Sequence, residues 1–407
     1  MNKPTSGFEK LAKESSLYPQ ESLLKVKEGK NALFIGVPKE TSLQENRVPL
    51  TPEAVAILVL NGHEVWIEAG AGAGSKFSDK EFSDVGAKIV YNTKEVYEAN
   101  IILKIEPPTL EEIEMIKPGR TIISAIQLGS QSPKYIQAIN ERKLTAIAYE
   151  LIEDKVGGMP FVRSMSEIAG STVMLIAAEY LSSVNHGRGI ILGGITGVPP
   201  TKVVILGAGT VAEYAARTAL GLGAEIQIFD SHIYKLRRIK HTLGQQVYTA
   251  TIDTTLLSES LKNADVVIGA IRAERGRNKC VVTEEMVAAM KPDSIIIDVS
   301  IDQGGCVETS EITTHDRPIF KKHGVIHYCV PNIASRVART ATYAFSNIIS
   351  HMLLQAAEMG GMEDMIFNSR WFMRGVYCYK GYLTNAHVAR KFNLKHKDLN
   401  LFMAARF

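Results

Sequence analysis

The residues with the clearest chemical capacity lie in TKVVILGAGTVAEYAARTALGLGAEIQIFD, residues 201–230. An apolar run leads into Gly207-x-Gly209-x-x-Ala212, a helical stretch follows, and Asp230 closes the next apolar run. Gly207 permits a tight turn, Gly209 lets backbone approach a pyrophosphate, and Ala212 keeps the helix close to its sheet. The first N–H groups of that helix and its positive dipole end suit phosphate oxygens. A carboxylate at Asp230 accepts hydrogen bonds from both hydroxyls of a ribose and repels a 2′-phosphate, so the motif predicts NAD rather than NADP. The basic run Lys235, Arg237, Arg238 and Lys240 bears on that choice, because a guanidinium accommodates a 2′-phosphate; its spacing reads as a solvated helix face. Three further polar residues stand at predicted strand ends, where open α/β sheets bind ligands. Lys104 interrupts NIILKIEPP before two prolines, and a lysine buried there must face an anion or a cleft. Asp302 precedes Gln303-Gly304-Gly305 on a turn at the mouth of the second predicted sheet. Arg47 comes just before a helix capped by Thr51 with Pro52 at its first position, where a guanidinium can hold a carboxylate through two parallel hydrogen bonds.

Parallel strands are the frame that would position these groups. Short apolar runs at 32–37, 63–69, 87–91, 100–106, 120–126 and 144–150 alternate with helical stretches such as 51–61 and 133–142. Continuous apolar strands separated by helices imply a parallel sheet covered on both faces. A helix predicted over about 164–185, capped by Ser164 or Ser166, ends in the glycine-rich HGRGIILGGITGVPP, which marks a domain boundary. The alternation restarts through KVVILGAG, AEIQIFD, QVYTATI, DVVIGAI, SIIIDVS and GVIHYCV, and a long helical stretch, ARTATYAFSNIISHMLLQAAEM, follows Asn332. The predicted architecture is α/β: two doubly wound, Rossmann-like parallel-sheet domains joined by long helices, with a cleft between them. Residues 1–160 and 336–407 form a discontinuous substrate domain, with 1–30 a polar extension, and 161–335 form the dinucleotide-binding domain.

The 407 residues are 45% apolar and 22% charged, with 46 Lys+Arg against 43 Asp+Glu, which excludes a disordered chain, a collagen-like repeat and a disulfide scaffold. A net charge of +3 does not argue for nucleic acid, and the basic C-terminal segment reads as a solvated or subunit-contacting tail. Cys280, Cys306, Cys329 and Cys378 lack the paired spacing of a zinc site or redox couple, so no metal is expected. No run reaches the roughly 18 consecutive apolar residues of a membrane span, and the N-terminus has no apolar export core. A cytoplasmic protein that engages neither membrane nor nucleic acid is the expectation.

The segments GVPKE, ENRVPLTPEAV, ILKIEPP, MSEIAG, GRGIILGGITGVPPTKVVILGAGTVAEYAAR, DVVIGA, SIIIDVSIDQGGC and TTHDRPIFKKHGVIHYCVPN resemble the alanine dehydrogenase family. That family shares its fold with the NAD-binding subunit of proton-translocating nicotinamide nucleotide transhydrogenase. The resemblance runs from Ala32 to about Lys391, and IDQGGC with MSEIAG is its most specific part. It implies NAD-dependent oxidative deamination of L-alanine to pyruvate and ammonia, or the reverse, in a homohexamer. By the same resemblance Arg47 and Lys104 bind the substrate carboxylate and carbonyl, Asp302 is the catalytic aspartate, and Asn332 lines the nicotinamide and substrate pocket. Ser166, Gly207, Gly209, Ala212, Asp230 and Lys235 then fall, with Asp302, at cofactor-contacting positions.

Two departures lie at the reacting centre: Gln127 stands in the place of the family's catalytic histidine, and Ala125 in that of a tyrosine. A carboxamide orients or hydrogen-bonds but exchanges no proton near neutral pH, so Gln127 is a catalytic-site candidate in an orienting role only. Proton handling is left to Lys104 with a depressed pKa, or to Asp302 acting through water. Arg336 is new in a loop that has lost the family's two prolines, and it offers a second carboxylate contact. Other readings of the same residues are a transhydrogenase NAD(H)-binding subunit, an NAD-binding regulator with a degenerate site, and a dehydrogenase joining lysine to 2-oxoglutarate. MSEIAG, without the Arg-Gln-Asp loop of the transhydrogenase, sets the amino-acid dehydrogenase first.

Overall fold

The computed structural model describes residues 32–272 and 279–404; the extension expected over 1–30 lies outside the described residues. The apolar runs form short strands rich in β-branched residues, buried on both faces. The first six are β1 (Phe34–Val37), β2 (Glu64–Glu68), β3 (Lys88–Val90), β4 (Ile101–Leu103), β5 (Thr121–Ser124) and β6 (Thr145–Ala148). The next seven are β7 (Lys202–Leu206), β8 (Glu225–Phe229), β9 (Tyr248–Ala250), β10 (Val266–Gly269), β11 (Ile295–Asp298), β12 (Ile319–Lys322) and β13 (Val325–Tyr328). Near the C-terminus lie β14 (Val376–Tyr379) and β15 (Tyr382–Leu383). One sheet has the order β15-β14-β6-β5-β4-β1-β2-β3, the other β12-β13-β11-β10-β7-β8-β9. The expected α/β architecture of two doubly wound sheets is therefore present. The order turns back between β1 and β4 in the first sheet and between β7 and β10 in the second. At such a switch point successive crossovers leave in opposite directions and open a crevice at the carboxyl ends of the strands.

Three pairings depart from the all-parallel expectation. β12 runs antiparallel to β13, β14 antiparallel to β6, and β15 antiparallel to β14. Two of these pairings close through two-residue turns, His323-Gly324 and Lys380-Gly381, in which both residues have positive φ, the geometry that matches strand twist in tight hairpins. The basic C-terminal segment is thus no mere solvated tail: Val376–Tyr379 extends the first sheet beside β6, and Arg374 and Lys380 pair with Glu153 and Glu363 at 3.0 and 2.9 Å.

Two long helices link the sheets. Thr51 caps the short Pro52–Leu60 helix as predicted, but the first long helix begins at Pro160, ahead of both serines expected to cap it. Proline at the first position supplies a preset φ and needs no N–H partner, and Ser166 instead returns its hydroxyl to the Val162 carbonyl at 2.7 Å. This Pro160–Leu181 helix is long and apolar enough to cross a membrane by composition, yet its Phe161, Val173, Ile176 and Leu181 are buried inside the protein. It packs on the Ala338–Met359 helix and on the Thr210–Gly221 helix. Tyr149, at the end of β6, meets Phe161 and Phe345 with ring centroids 5.2 and 4.8 Å away, which ties the first sheet to both long helices.

Candidate functional site

At the second switch point, Gly207 follows β7 with φ +104°, and a Cβ there would stand 2.5 Å from the Ala270 carbonyl oxygen beyond β10. Only glycine fits that turn. Gly209 precedes the first residue of the Thr210–Gly221 helix, and a Cβ there would meet no protein atom within 4 Å. The chain's own packing does not require this glycine, and the space leaves the first N–H groups of the helix open to approach. Ala212 is fully buried with Ala215, Ala216 and Ala219. Gly170 of the Pro160–Leu181 helix faces them so closely that a Cβ would overlap the Val211 carbonyl oxygen. Asp230 is buried and accepts from the backbone N–H groups of Ala208 and His232, both at 2.8 Å, so its carboxylate stands against the glycine turn. Arg238 is exposed on its helix as expected, yet its Nη2 also reaches the Ala208 carbonyl at 2.8 Å. Lys235 instead rests beside Tyr234, its ammonium 5.9 Å from the ring centre. Turn, helix start and acid are arranged as a dinucleotide requires.

At the first switch point, the loop after β1 carries Glu45 and Arg47. Arg47 Nε and Nη2 donate to the two oxygens of Glu45 at 2.8 and 2.6 Å, and Nη1 approaches the Met165 sulfur at 3.3 Å. The Asn332 side-chain amide, at the far end of β13, donates to Glu45 at 2.8 Å and so joins the two domains. Asn332 has left-handed φ, 56°, a conformation asparagine tolerates better than most residues. Its backbone N–H also supports the carboxylate of Asp302, on the 3₁₀ turn Val299–Gln303 after β11. That turn is held from below by buried Asp298, which accepts from the Ser300 and Cys306 N–H groups at 3.0 and 2.9 Å and from the Ser310 hydroxyl at 2.8 Å. Arg47, Asn332 and Asp302 are therefore brought together from three strand ends.

Gln127 also reaches this cluster. Its Nε2 donates to Glu106, whose other oxygen lies 3.7 Å from Arg47 Nη2. The turn is imposed by Glu150, whose carboxylate accepts from the N–H groups of Ile126 and Gln127 at 2.8 and 3.0 Å and holds Gln127 at φ 43°. Burial, and then the charge of Glu45, push the Glu106 carboxyl up to about 8 despite Arg47. Glu45 is lowered: burial acts against its charge, but Arg47 outweighs it. Partial loss of water pushes the Asp302 carboxyl, still accessible, up to about 6, against the Asn332 N–H and the charge of Arg47.

Lys104 does not join them. Its ammonium, 1% exposed, lies 2.9 Å from Glu112 and 3.2 Å from Glu40. The lysine faces anions, as a buried ammonium must, but they are its own chain's carboxylates. Its pKa is raised rather than depressed, because the two glutamates outweigh burial. Glu40 in turn accepts from the Ile105 N–H at 2.6 Å, so this ion cluster braces the strand end that carries Glu106. Arg336 is likewise engaged: its Nη2 lies 2.5 Å from Glu179 on the Pro160–Leu181 helix. Ser166 lies next to Met165, with its hydroxyl bonded within its own helix. Sequence reasoning passed over Glu45, Glu106, Glu150 and Asp298. Glu45 and Glu106 stand two residues from Arg47 and Lys104, and a second charge in each motif was the available signal. Among the described residues no group of His, Cys, Asp and Glu is arranged to hold a metal ion.

The N-terminal domain of the family described as Alanine dehydrogenase/PNT matches residues 36–169, and its C-terminal domain matches residues 173–386. The chain belongs to this family. Alanine dehydrogenase of Methanococcus maripaludis is 39% identical to it over 366 residues, 89% of this chain and 98% of that protein. Among solved structures, an L-alanine dehydrogenase superposes with a TM-score of 0.83 at 34% identity, covering 88% of this chain and 99% of its own. A transhydrogenase from Sinorhizobium meliloti superposes with a TM-score of 0.74 at 25% identity, covering 87% and 99%. The alanine dehydrogenase/PNT family uses NAD(H), and the glycine turn with Asp230 is the part of this member suited to it.

Proposed function

We propose that this member of the alanine dehydrogenase/PNT family is a cytoplasmic NAD-dependent oxidoreductase of a small amino or 2-oxo acid. L-Alanine with pyruvate and ammonia is the first substrate set to test. The observation that carries this reading is the convergence of the Arg47–Glu45–Asn332 cluster and Asp302 between two switch points, one of which bears the nucleotide turn. Bound NAD would accept or supply hydride at the cleft. Asp230 and the N–H groups at the start of the Thr210–Gly221 helix would hold its ribose and phosphates. Arg47, kept ionised by Glu45, would orient the acid's carboxylate through the Nη1 edge that faces Met165. Asp302, held near 6, exchanges a proton close to neutrality and is the candidate acid/base; Gln127 only orients. Lys104 acts from behind, as a positioning residue for the β4 end. Assembly into a homohexamer belongs to the same proposal. A second reading, an NAD-binding relative with altered substrate or without turnover, is supported by Gln127 and Ala125 at the reacting centre. Following the reduced-nicotinamide absorbance with a panel of amino acids, and of 2-oxo acids plus ammonia, separates them. Turnover with one pair identifies the substrate, whereas NADH binding without turnover on any of them supports the second reading.

A further inference from the structure

We propose that Glu45 and Glu106 share one proton at neutral pH, and that this proton decides whether the cleft admits a ligand carboxylate. The inference rests on reading the cleft as a site for amino or 2-oxo acids. Both carboxyls address the same guanidinium nitrogen, Arg47 Nη2, at 2.6 and 3.7 Å, with side chains only 1% and 11% exposed. Two ionised carboxylates crowded on one cation away from water repel each other, and burial together with the charge of Glu45 favours a proton on the second of them. Glu45 is the charged partner, because both its oxygens accept from Arg47 and one also from Asn332. The proton therefore resides on Glu106, on the oxygen not engaged by the Gln127 amide.

The remaining groups around Glu106 do not replace that proton. Glu40 faces it from the loop after β1, but Glu40 is itself paired with Lys104 at 3.2 Å. Tyr149, at the end of β6, stays a neutral phenol because burial pushes it well up. With the proton in place, Arg47, Glu45 and Glu106 sum to zero charge; without it they carry one negative charge beside the guanidinium edge meant for the ligand. A carboxylate ligand then meets repulsion in a site largely shielded from water. A cation in place of Glu106 would have favoured the anion at every pH, so this residue makes anion binding conditional.

The test uses the full chain. Difference infrared spectra from neutral to alkaline pH should show a protonated-carboxyl band that is lost near pH 8 and is absent from Glu106→Gln. Calorimetric titration of pyruvate into the NADH-loaded protein should give a dissociation constant that rises about tenfold per pH unit above that point. In Glu106→Gln it should stay level, and undiminished NADH binding by that variant shows that it is folded. A missing band in the parent overturns the shared proton and leaves the substrate reading intact. A band without pyruvate binding at any pH overturns the ligand half together with the substrate reading. The same pH dependence in parent and variant overturns the role of Glu106.

Discussion

Asp230 and Arg238 hold the same residue, Ala208: one accepts its N–H, and the other donates to its carbonyl. The acid favours a free 2′-hydroxyl, while the guanidinium so close by is the group a 2′-phosphate would use. Asp230→Ala removes a charged acceptor for both the turn and a ribose, worth about 1.5–3 kcal/mol. NADH binding followed by fluorescence should weaken roughly tenfold to a hundredfold, with the preference moving toward NADPH. An unchanged NADH affinity would remove Asp230 from the cofactor site. The left-handed Gln127 shows the same economy of position: Glu150 holds its backbone, and Glu106 holds its amide.

Among the elements, the start of the Thr210–Gly221 helix is set by its neighbour. The Pro160–Leu181 helix lies close enough only because Gly170 offers no side chain to the Val211 carbonyl. Gly170→Ala should therefore cost about 1–3 kcal/mol through overpacking and should push the helix start away from the glycine turn. Denaturant unfolding should show a lower midpoint, and NADH should bind less tightly. Gly221→Ala, at the other end of that helix, has nothing within 4 Å to disturb and should leave both measurements near the parent's. Equal behaviour of the two variants would mean that helix packing does not govern the cofactor turn.

For the whole molecule, the Arg47 loop is anchored by a polar seam. Asn46 N–H donates to the Ser335 hydroxyl, Val48 N–H to Thr342 and Thr51 N–H to Ser346, at 2.9, 3.1 and 3.0 Å. This places the Arg47 loop against the C-terminal linking helix and puts two acids with raised pKa values in the cleft, Asp302 near 6 and Glu106 near 8. An acid whose folded pKa lies above its unfolded value binds its proton more tightly when folded, so ionising it lowers stability. The unfolding midpoint should fall as pH rises through 6 and on through 8, and Glu106→Gln should flatten the upper part of that decline. Glu45, shifted downward by Arg47, contributes stability that is lost only in strong acid, outside this window. A midpoint that climbs with pH in urea titrations would contradict these protonation states.

Sequence alone determined the alternation of strands and helices, the Thr51 cap, and the turn from Gly207 to Asp230. These follow from local rules: side-chain period along a strand or helix, φ at a glycine, and the reach of a hydroxyl to the next turn. Only the tertiary structure decided which charges meet. Lys104 and Glu106 stand two residues apart in one motif, yet one is locked between Glu40 and Glu112 and the other opens on Arg47 and Gln127. Asn332 finds Glu45 across almost three hundred positions of chain. Charged side chains are silent about their partners until the backbone closes, because a buried charge accepts whichever counter-charge the packing brings within reach, and that depends on contacts distant in the chain.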